Sequence, residues 1–453
     1  MERIHLSDHF HYRKLLRFVT PSIAMMVFIS IYSIVDGFFV ANFAGDVPFA
    51  ALNLIYPLIM ILGAVGFMLC AGGNAVVSKT LGEGKREEAN KIFSMLIYAT
   101  IIIGVILSII GLIVLRPLAE TFAKQEKKYT AEERAQLVEY CVTYGRILLL
   151  SLPMFMTQNA FQGFFITAEK PRFGLLITIG AGVGNGIFDA IFVAGLDMGL
   201  QGAAFATAIN QCAGGIIPLF YFFRKNDSLL RLCKTKFYGK IFGSVCVNGL
   251  SELITNISLS VVSILYNMQL MDCIGLDGVS AYGIMMYVGF IFIAVFLGYA
   301  LGSSPIIGYH YGAGNRRELK SIFKKSAVLL CIFAVAMTTV SIVFAGELSG
   351  LFTKKGSHVW IITKRGFRIY ALSFLICGLN IFASSFFTAL SNGGISLLLS
   401  FFRTFLCQAI FVMVLPHFWG LNGIWAASVA AECVSLLLSE FMILKNKKRY
   451  GYL

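Results

Sequence analysis

The chain holds 453 residues, 58% of them hydrophobic and 13% charged, with 41 phenylalanines and a mean hydropathy of +0.79. A soluble chain of this length would form roughly two or three domains, and none could bury so large an apolar share, which excludes a soluble globular protein. The net charge of +14 does not indicate a nucleic-acid partner, because lysine and arginine gather in the segments between apolar runs.

A membrane-spanning helix needs about 20 apolar residues to cross a hydrocarbon core of about 30 Å, and uncharged runs of that order recur along the whole sequence. Barrel strands would alternate apolar and polar over about ten positions, whereas these runs are apolar on every side. The predicted spans, in chain order, cover 17–43, 50–78, 92–116, 140–168, 173–196, 202–223, 241–271, 278–311, 326–348, 367–390, 395–416 and 420–444. The fold class is an all-α integral membrane protein with twelve transmembrane helices.

Several spans carry groups that an apolar environment does not solvate. The first, reading Thr20 to Val40, contains Asp36, and an ionisable side chain at such depth is a functional candidate by default. The fourth contains Met154, Phe155, Met156, Gln158, Asn159 and Gln162. The fifth contains Asn185 and Asp189, four apart and therefore on one helical face. Thr207 follows on the sixth, across a short turn. The seventh places Asn248, Glu252 and Asn256 on one face, with Glu252 about 16 Å into the helix at 1.5 Å per residue. The eighth carries Met285, Met286 and Tyr287, the eleventh Arg403, and the twelfth Glu432 and Glu440.

The basic residues set an orientation. Alternate loops, including Lys79 to Lys91, Arg224 to Lys240, Arg316 to Lys325 and Lys445 to Arg449, hold about 25 of the 37 basic residues, which assigns that side and both termini to the cytoplasm. Lys124, Lys127, Lys128 and Arg134 on the other side are mixed with acids, while Lys354, Lys355, Lys364, Arg365 and Arg368 form an outward cluster against the rule. The first apolar run is too long for a signal peptide and lacks a small-residue cleavage site. The ten cysteines are scattered without a C-x-x-C pair and read as packing residues. His5, His9 and His11 read as an exposed tail.

An internal repeat organises the chain. Gly82-Glu-Gly-Lys-Arg-Glu-Glu-Ala-Asn-Lys-Ile-Phe93 returns as Gly312-Ala-Gly-Asn-Arg-Arg-Glu-Leu-Lys-Ser-Ile-Phe323, Met198-Gly-Leu-Gln-Gly202 as Trp419-Gly-Leu-Asn-Gly423, and Phe164-Phe165 as Phe386-Phe387. Motifs in one order, six spans apart, predict two six-helix bundles, 1–225 and 241–453, joined by a cytoplasmic linker over 226–240. Parallel repeats of this kind are related by a pseudo-two-fold axis along the membrane normal, as in transporters with a central site reached alternately from either side. In this alignment Asp36 falls opposite Tyr266, Asn185 opposite Cys407 and Asp189 opposite Phe411, so cation coupling is expected in the N-terminal bundle alone.

The pattern Pro21…Asp36, the Gly-x-Gly-Lys/Asn-Arg loop of each half, and Asn185-Gly-Ile-Phe-Asp189 followed by Thr207 resemble the multidrug and toxic compound extrusion (MATE) transporters, above all the bacterial branch that exports cationic drugs. The resemblance covers essentially all twelve spans. It implies two six-helix lobes, a cavity between them, a bacterial cytoplasmic membrane location, and antiport of organic compounds against protons or sodium. It also implies that Asp36, Asn185, Asp189 and Thr207 form the cation site. Oxygen ligands there suit sodium, and two close carboxylates suit a proton, so the coupling ion stays open.

The substrate cavity is expected to use Met154, Gln158, Asn159, Glu252, Asn256, Met285, Met286 and Tyr287, since methionine and aromatic side chains repack around unlike ligands and aromatic faces attract cations; Gln158, Asn159 and Gln162 line either that cavity or the bundle interior. Glu252 either faces that cavity or is held by its asparagine neighbours or Arg403. No phosphate-binding Gly-x-x-x-x-Gly-Lys-Ser/Thr loop occurs, and no catalytic constellation of His, Cys or acids is visible, so no enzyme activity and no cofactor is expected. The expected partners are small organic cations and the lipid bilayer, with the chain acting as a monomer. The competing reading is a lipid or lipid-linked oligosaccharide flippase of a related superfamily, which would call for more spans and a cavity rich in Arg and Lys; Arg403 and Arg146 are too few.

Overall fold

The computed structural model describes the backbone of residues 4–43, 46–125 and 130–452, and their side chains except at 36–43, 46, 49 and 125. The described chain is helical: α1 Tyr12–Phe43, α2 Asp46–Gly82, α3 Arg86–Gln125, α4 Ala131–Thr167, α5 Pro171–Asp189, α6 Gly199–Phe223, α7 Gly239–Ile274, α8 Leu276–Gly312, α9 Arg316–Val343, short α10 Ala345–Gly350, α11 His358–Tyr370, α12 Phe374–Ala389, α13 Gly393–Phe401 and α14 Cys407–Tyr450. Local chemistry sets many of the ends. Thr130 and Glu133 form a reciprocal capping box at the start of α4, and Asn315, Ser357 and Asn392 accept the first free N–H groups of α9, α11 and α13.

Among the described residues eleven segments are long and apolar enough to cross a membrane. The last of them, Gly393–Tyr450, has 58 residues, or about 87 Å at 1.5 Å per residue, nearly three times the hydrocarbon core. It is broken at Gly420, whose φ of 53° and ψ of −134° leave the helical region, so it comprises two spans and the number predicted from the sequence is recovered. The tenth span begins earlier than the apolar run suggests, at His358 rather than 367. Lys364, Arg365 and Arg368 end the hydropathy signal but not the helix, which Ser357 caps.

The internal repeat is written in the backbone. Gly199 and Gly420, equivalent in the repeat, share a φ of 53°, which only glycine adopts at no steric cost. Glu169 and Ser391, which close α4 and α12, take φ of 60° and 58° despite the penalty for a Cβ there. Phe93 meets Phe164 with ring centroids 4.9 Å apart, and their counterparts Phe323 and Phe386 meet at 4.9 Å.

The chain gathers into two compact units. One comprises residues 31–73 and 86–246, the other 1–30, 74–85 and 247–453. In the first, small residues let backbones close up, as is usual between helices in lipid: a Cβ on Gly104 would stand 2.6 Å from the Cα of Pro153, and one on Gly66 2.8 Å from that of Met156. Ile55, Ile59, Leu115, Leu149, Leu152 and Met156 fill the core around these crossings. The segment after α6 is strapped to the start of α3 by Arg86 Nη2 to Ser228 O (2.9 Å), Arg231 N to Asn90 Oδ1 (2.9 Å) and Thr235 Oγ1 to Lys91 O (2.9 Å).

In the second unit, α8 receives α1 over Gly298 and Gly302, where added Cβ atoms would meet Ile23, Ser22 and Val19. Repeat-related Gly82 and Gly312 abut the carbonyls of Tyr309 and Lys79 respectively, so α2 and α8 cross backbone to backbone at one end. The tail carrying His5, His9 and His11 is fastened rather than loose at its end: Phe10 N–H donates to Glu318 Oε1 (2.9 Å), and His9 Nδ1 lies 2.6 Å from Glu318 Oε2.

Candidate functional sites within the two units

In the first unit, α4, α5 and α6 pack on one another and carry most of its buried polar side chains. Asn185 and Asp189 of α5 are almost wholly buried. Their four-residue spacing stacks them, and Asn185 Nδ2 donates to Asp189 Oδ2 at 3.2 Å. Asp189 ends the regular helix. The chain continues through a wider turn, Ala190–Gly195, in which Leu196 N–H reaches Ile191 O, a π geometry frequent at functional sites. Thr207 is half-buried on α6, along which α5 lies. Asp36 belongs to α1, but its side chain lies outside the described residues.

Sequence reasoning overlooked Asn210 and the pair Ser151–Gln211. Asn210, buried on α6, has no partner for Oδ1 among the described residues, and Ser151 Oγ donates to Gln211 Oε1 at 2.6 Å. Their signal was the i, i+3, i+4 spacing of Thr207, Asn210 and Gln211. Gln158 and Asn159 of α4 are buried in this unit: Gln158 fills the space that Gly214 leaves, and Asn159 Nδ2 has no partner among the described residues. Met154 packs on Gly215.

The second unit contains a cavity of about 200 Å³, walled by Tyr266, Tyr282, Tyr370, Met286, Arg403 and Glu432 among others. Tyr266 and Tyr282 stack nearly parallel at 4.9 Å, and the Tyr266 hydroxyl donates to Gln408 Oε1 at 3.0 Å. Glu432 is buried, receives Asn380 Nδ2 on Oε2 at 2.7 Å, and faces Arg403 Nη1 from Oε1 at 3.4 Å. Asn380 is itself fixed by Ser439 (3.0 Å). Single Arg and Glu residues in spans were visible in the sequence, but their pairing was not. The clue was a polar stripe, Ser428, Glu432, Ser435 and Ser439, all buried on one face of α14.

Arg403 thus pairs with Glu432, not with Glu252. Asn256 Nδ2 donates to the backbone carbonyl of Glu252 (2.8 Å), and Asn248 to Thr388 O (3.1 Å). Among the described residues no hydrogen bond or ion pair engages the Glu252 carboxylate, although Arg403 acts on it electrostatically. Of the expected cavity residues in this unit, Met286 lines the cavity. Met285 is buried in packing, and Tyr287 is 46% exposed and stacks on Phe352.

The sequence matches the MatE family profile over residues 21–191 and 253–414. The multidrug export protein MepA of Staphylococcus haemolyticus is 23% identical over 444 residues, spanning 97% of this chain and 94% of that protein. The fold superimposes on a crystal structure of MATE in the straight conformation with a TM-score of 0.89 at 22% identity, covering 97% of this chain and 98% of the other. It also superimposes, with a TM-score of 0.87 at 20% identity and covering 98% and 97%, on a MOP superfamily transporter from Pyrococcus furiosus described as having a binding pocket of reverse polarity that suggests a different function. Fold likeness alone therefore does not assign a substrate.

Proposed function

The chain belongs to the MatE family of membrane transporters, and from that premise we propose that it is a secondary multidrug efflux antiporter. It exports organic, mostly cationic compounds by alternating access in exchange for protons or sodium, as a monomer with both termini in the cytoplasm of a bacterial cell. The relatives named multidrug export proteins support the drug substrate. The observation that carries the coupling is the buried Asn185–Asp189 pair on a spanning helix; Thr207 and Asp36 complete the cation site in this proposal. Two halves, 1–225 and 241–453, joined by the linker 226–240, undergo the exchange.

The pairing of acids in the other half supports coupling in the first: Glu432 is already paired with Arg403, a cation built into the protein, while Asp189 accepts a hydrogen bond from Asn185. Binding a proton or sodium at Asp36 and Asp189 removes a buried negative charge and lets α1 repack at Pro21, expelling the drug. One charge falling through about 150 mV releases about 3.5 kcal/mol, enough for a drug gradient of a few hundredfold at about 1.4 kcal/mol per tenfold.

The test is efflux of a fluorescent organic cation from proteoliposomes under a sodium gradient and a proton gradient applied separately. Efflux driven by one gradient and abolished in Asp36→Asn and in Asp189→Asn is the expected result, and it names the ion. Absence of efflux under both gradients with folded, inserted protein would overturn the reading in favour of a lipid or lipid-linked oligosaccharide flippase.

A further inference from the structure

The outward basic cluster that runs against the orientation rule sits on a defined surface. α11 turns Ile362, Thr363, Gly366 and Phe367 inward, and its rotation is set by Gly366, where an added Cβ would stand 2.8 Å from the ring of fully buried Trp425. The opposite face presents Ile361, Arg365 and Arg368 to the outside, followed on the same stripe by Leu372 and Leu375. Lys364 flanks the two arginines at i, i+1 and i+4 positions, its ammonium 4.7 Å from the centre of the Trp360 ring.

Depth follows from length. His358–Ala389 is one span of 32 residues, about 48 Å at 1.5 Å per residue, against a hydrocarbon core of about 30 Å. The span exceeds the core by about 12 residues, and the charges of its first three turns put that end at headgroup level, with the exposed Leu372 and Leu375 beyond them toward the acyl chains. Trp360, whose indole N–H is bound to Gly346 O at 2.9 Å, stands where interfacial aromatic belts stand. A shallow groove of about 490 Å³ is lined by Trp360, Ile361, Lys364, Arg365, Arg368 and Ile369. Among the described residues Lys364, Arg365 and Arg368 have no acidic partner, and Asp277 on α8 is held by His358 at 2.6 Å.

We infer that this face of α11 binds the phosphate headgroup of an anionic phospholipid in the leaflet opposite the chain termini. The arginines offer planar forks that bind phosphate oxygens in pairs, Lys364 adds a point charge, and Ile361 and Ile369 cover the glycerol backbone. A merely solvated basic face would not continue into a lipid-facing leucine stripe or border a tryptophan at interface depth. The assignment is independent of the transported substrate.

The experiment is native mass spectrometry of the full-length protein released from nanodiscs of phosphatidylcholine with a minor fraction of phosphatidylglycerol. Wild type should retain phosphatidylglycerol in preference to phosphatidylcholine. The K364Q/R365Q/R368Q variant should lose that retention by about tenfold or more, given about fivefold per cation near an anionic surface. K447Q/K448Q/R449Q, which removes the same charge from the end of α14, should reduce retention by clearly less than the α11 variant does. R365K/R368K, which preserves charge and fold, should fall in between. Equal loss in both triple variants, no loss in the first, or displacement of the lipid by millimolar inorganic phosphate would overturn the assignment.

Discussion

At the scale of single residues, the decisive contrast is between two buried acids with different partners. Asp189 meets the neutral amide of Asn185, while Glu432 meets Asn380 and the guanidinium of Arg403. Removing one member of a buried ion pair leaves an uncompensated charge, at a cost of about 3–5 kcal/mol, whereas removing both is often close to neutral. Glu432→Gln and Arg403→Gln should therefore each destabilise the protein markedly, and Arg403→Met/Glu432→Met should recover most of the loss. Thermal unfolding in detergent measures this directly; equal destabilisation by single and double variants would contradict the pairing. Asp189→Asn, which keeps the shape of the side chain, should act on ion-driven transport, read as loss of gradient-dependent efflux.

At the scale of helices, stability rests on close backbone crossings made by small residues and on capped ends. A Cβ on Gly298 would come 2.5 Å from the Cα of Ile23, yet nothing stands within 4 Å of one on Gly184. Gly298→Val should overpack the α1–α8 crossing and cost about 1–3 kcal/mol. Gly184→Ala should be neutral or slightly stabilising through helix propensity. The two melting temperatures, compared with wild type, separate packing from propensity. Thr130→Ala removes one side of the capping box that starts α4 and should cost about 1 kcal/mol, recovered largely by Thr130→Ser.

At the scale of the whole molecule, the two units hold different acids: Asp189 against Asn185 in one, Glu432 against Asn380 and Arg403 in the other. Replacing Arg403 and Glu432 together by neutral residues should alter which drugs are exported while leaving the response to the driving ion in place; loss of ion dependence in that double variant, measured in proteoliposomes, would move the coupling site. Much of this was legible in the sequence. Uncharged runs of membrane length dictated twelve helices because lipid leaves backbone groups no partner outside a helix, and the four-residue step from Asn185 to Asp189 dictated their contact. The repeat motifs aligned Gly199 with Gly420, and the structure gives both a φ of 53°. Only the tertiary structure decided what lies far apart in the chain. It brought Arg403 to Glu432 rather than to Glu252, and grouped residues 1–30 and 74–85 with 247–453. It also turned Arg365 and Arg368 outward by seating Trp425 on Gly366. Periodicity determines which residues share a helix face, but the rotation of that face and its neighbour are set by side-chain packing between helices, which a one-dimensional pattern does not contain.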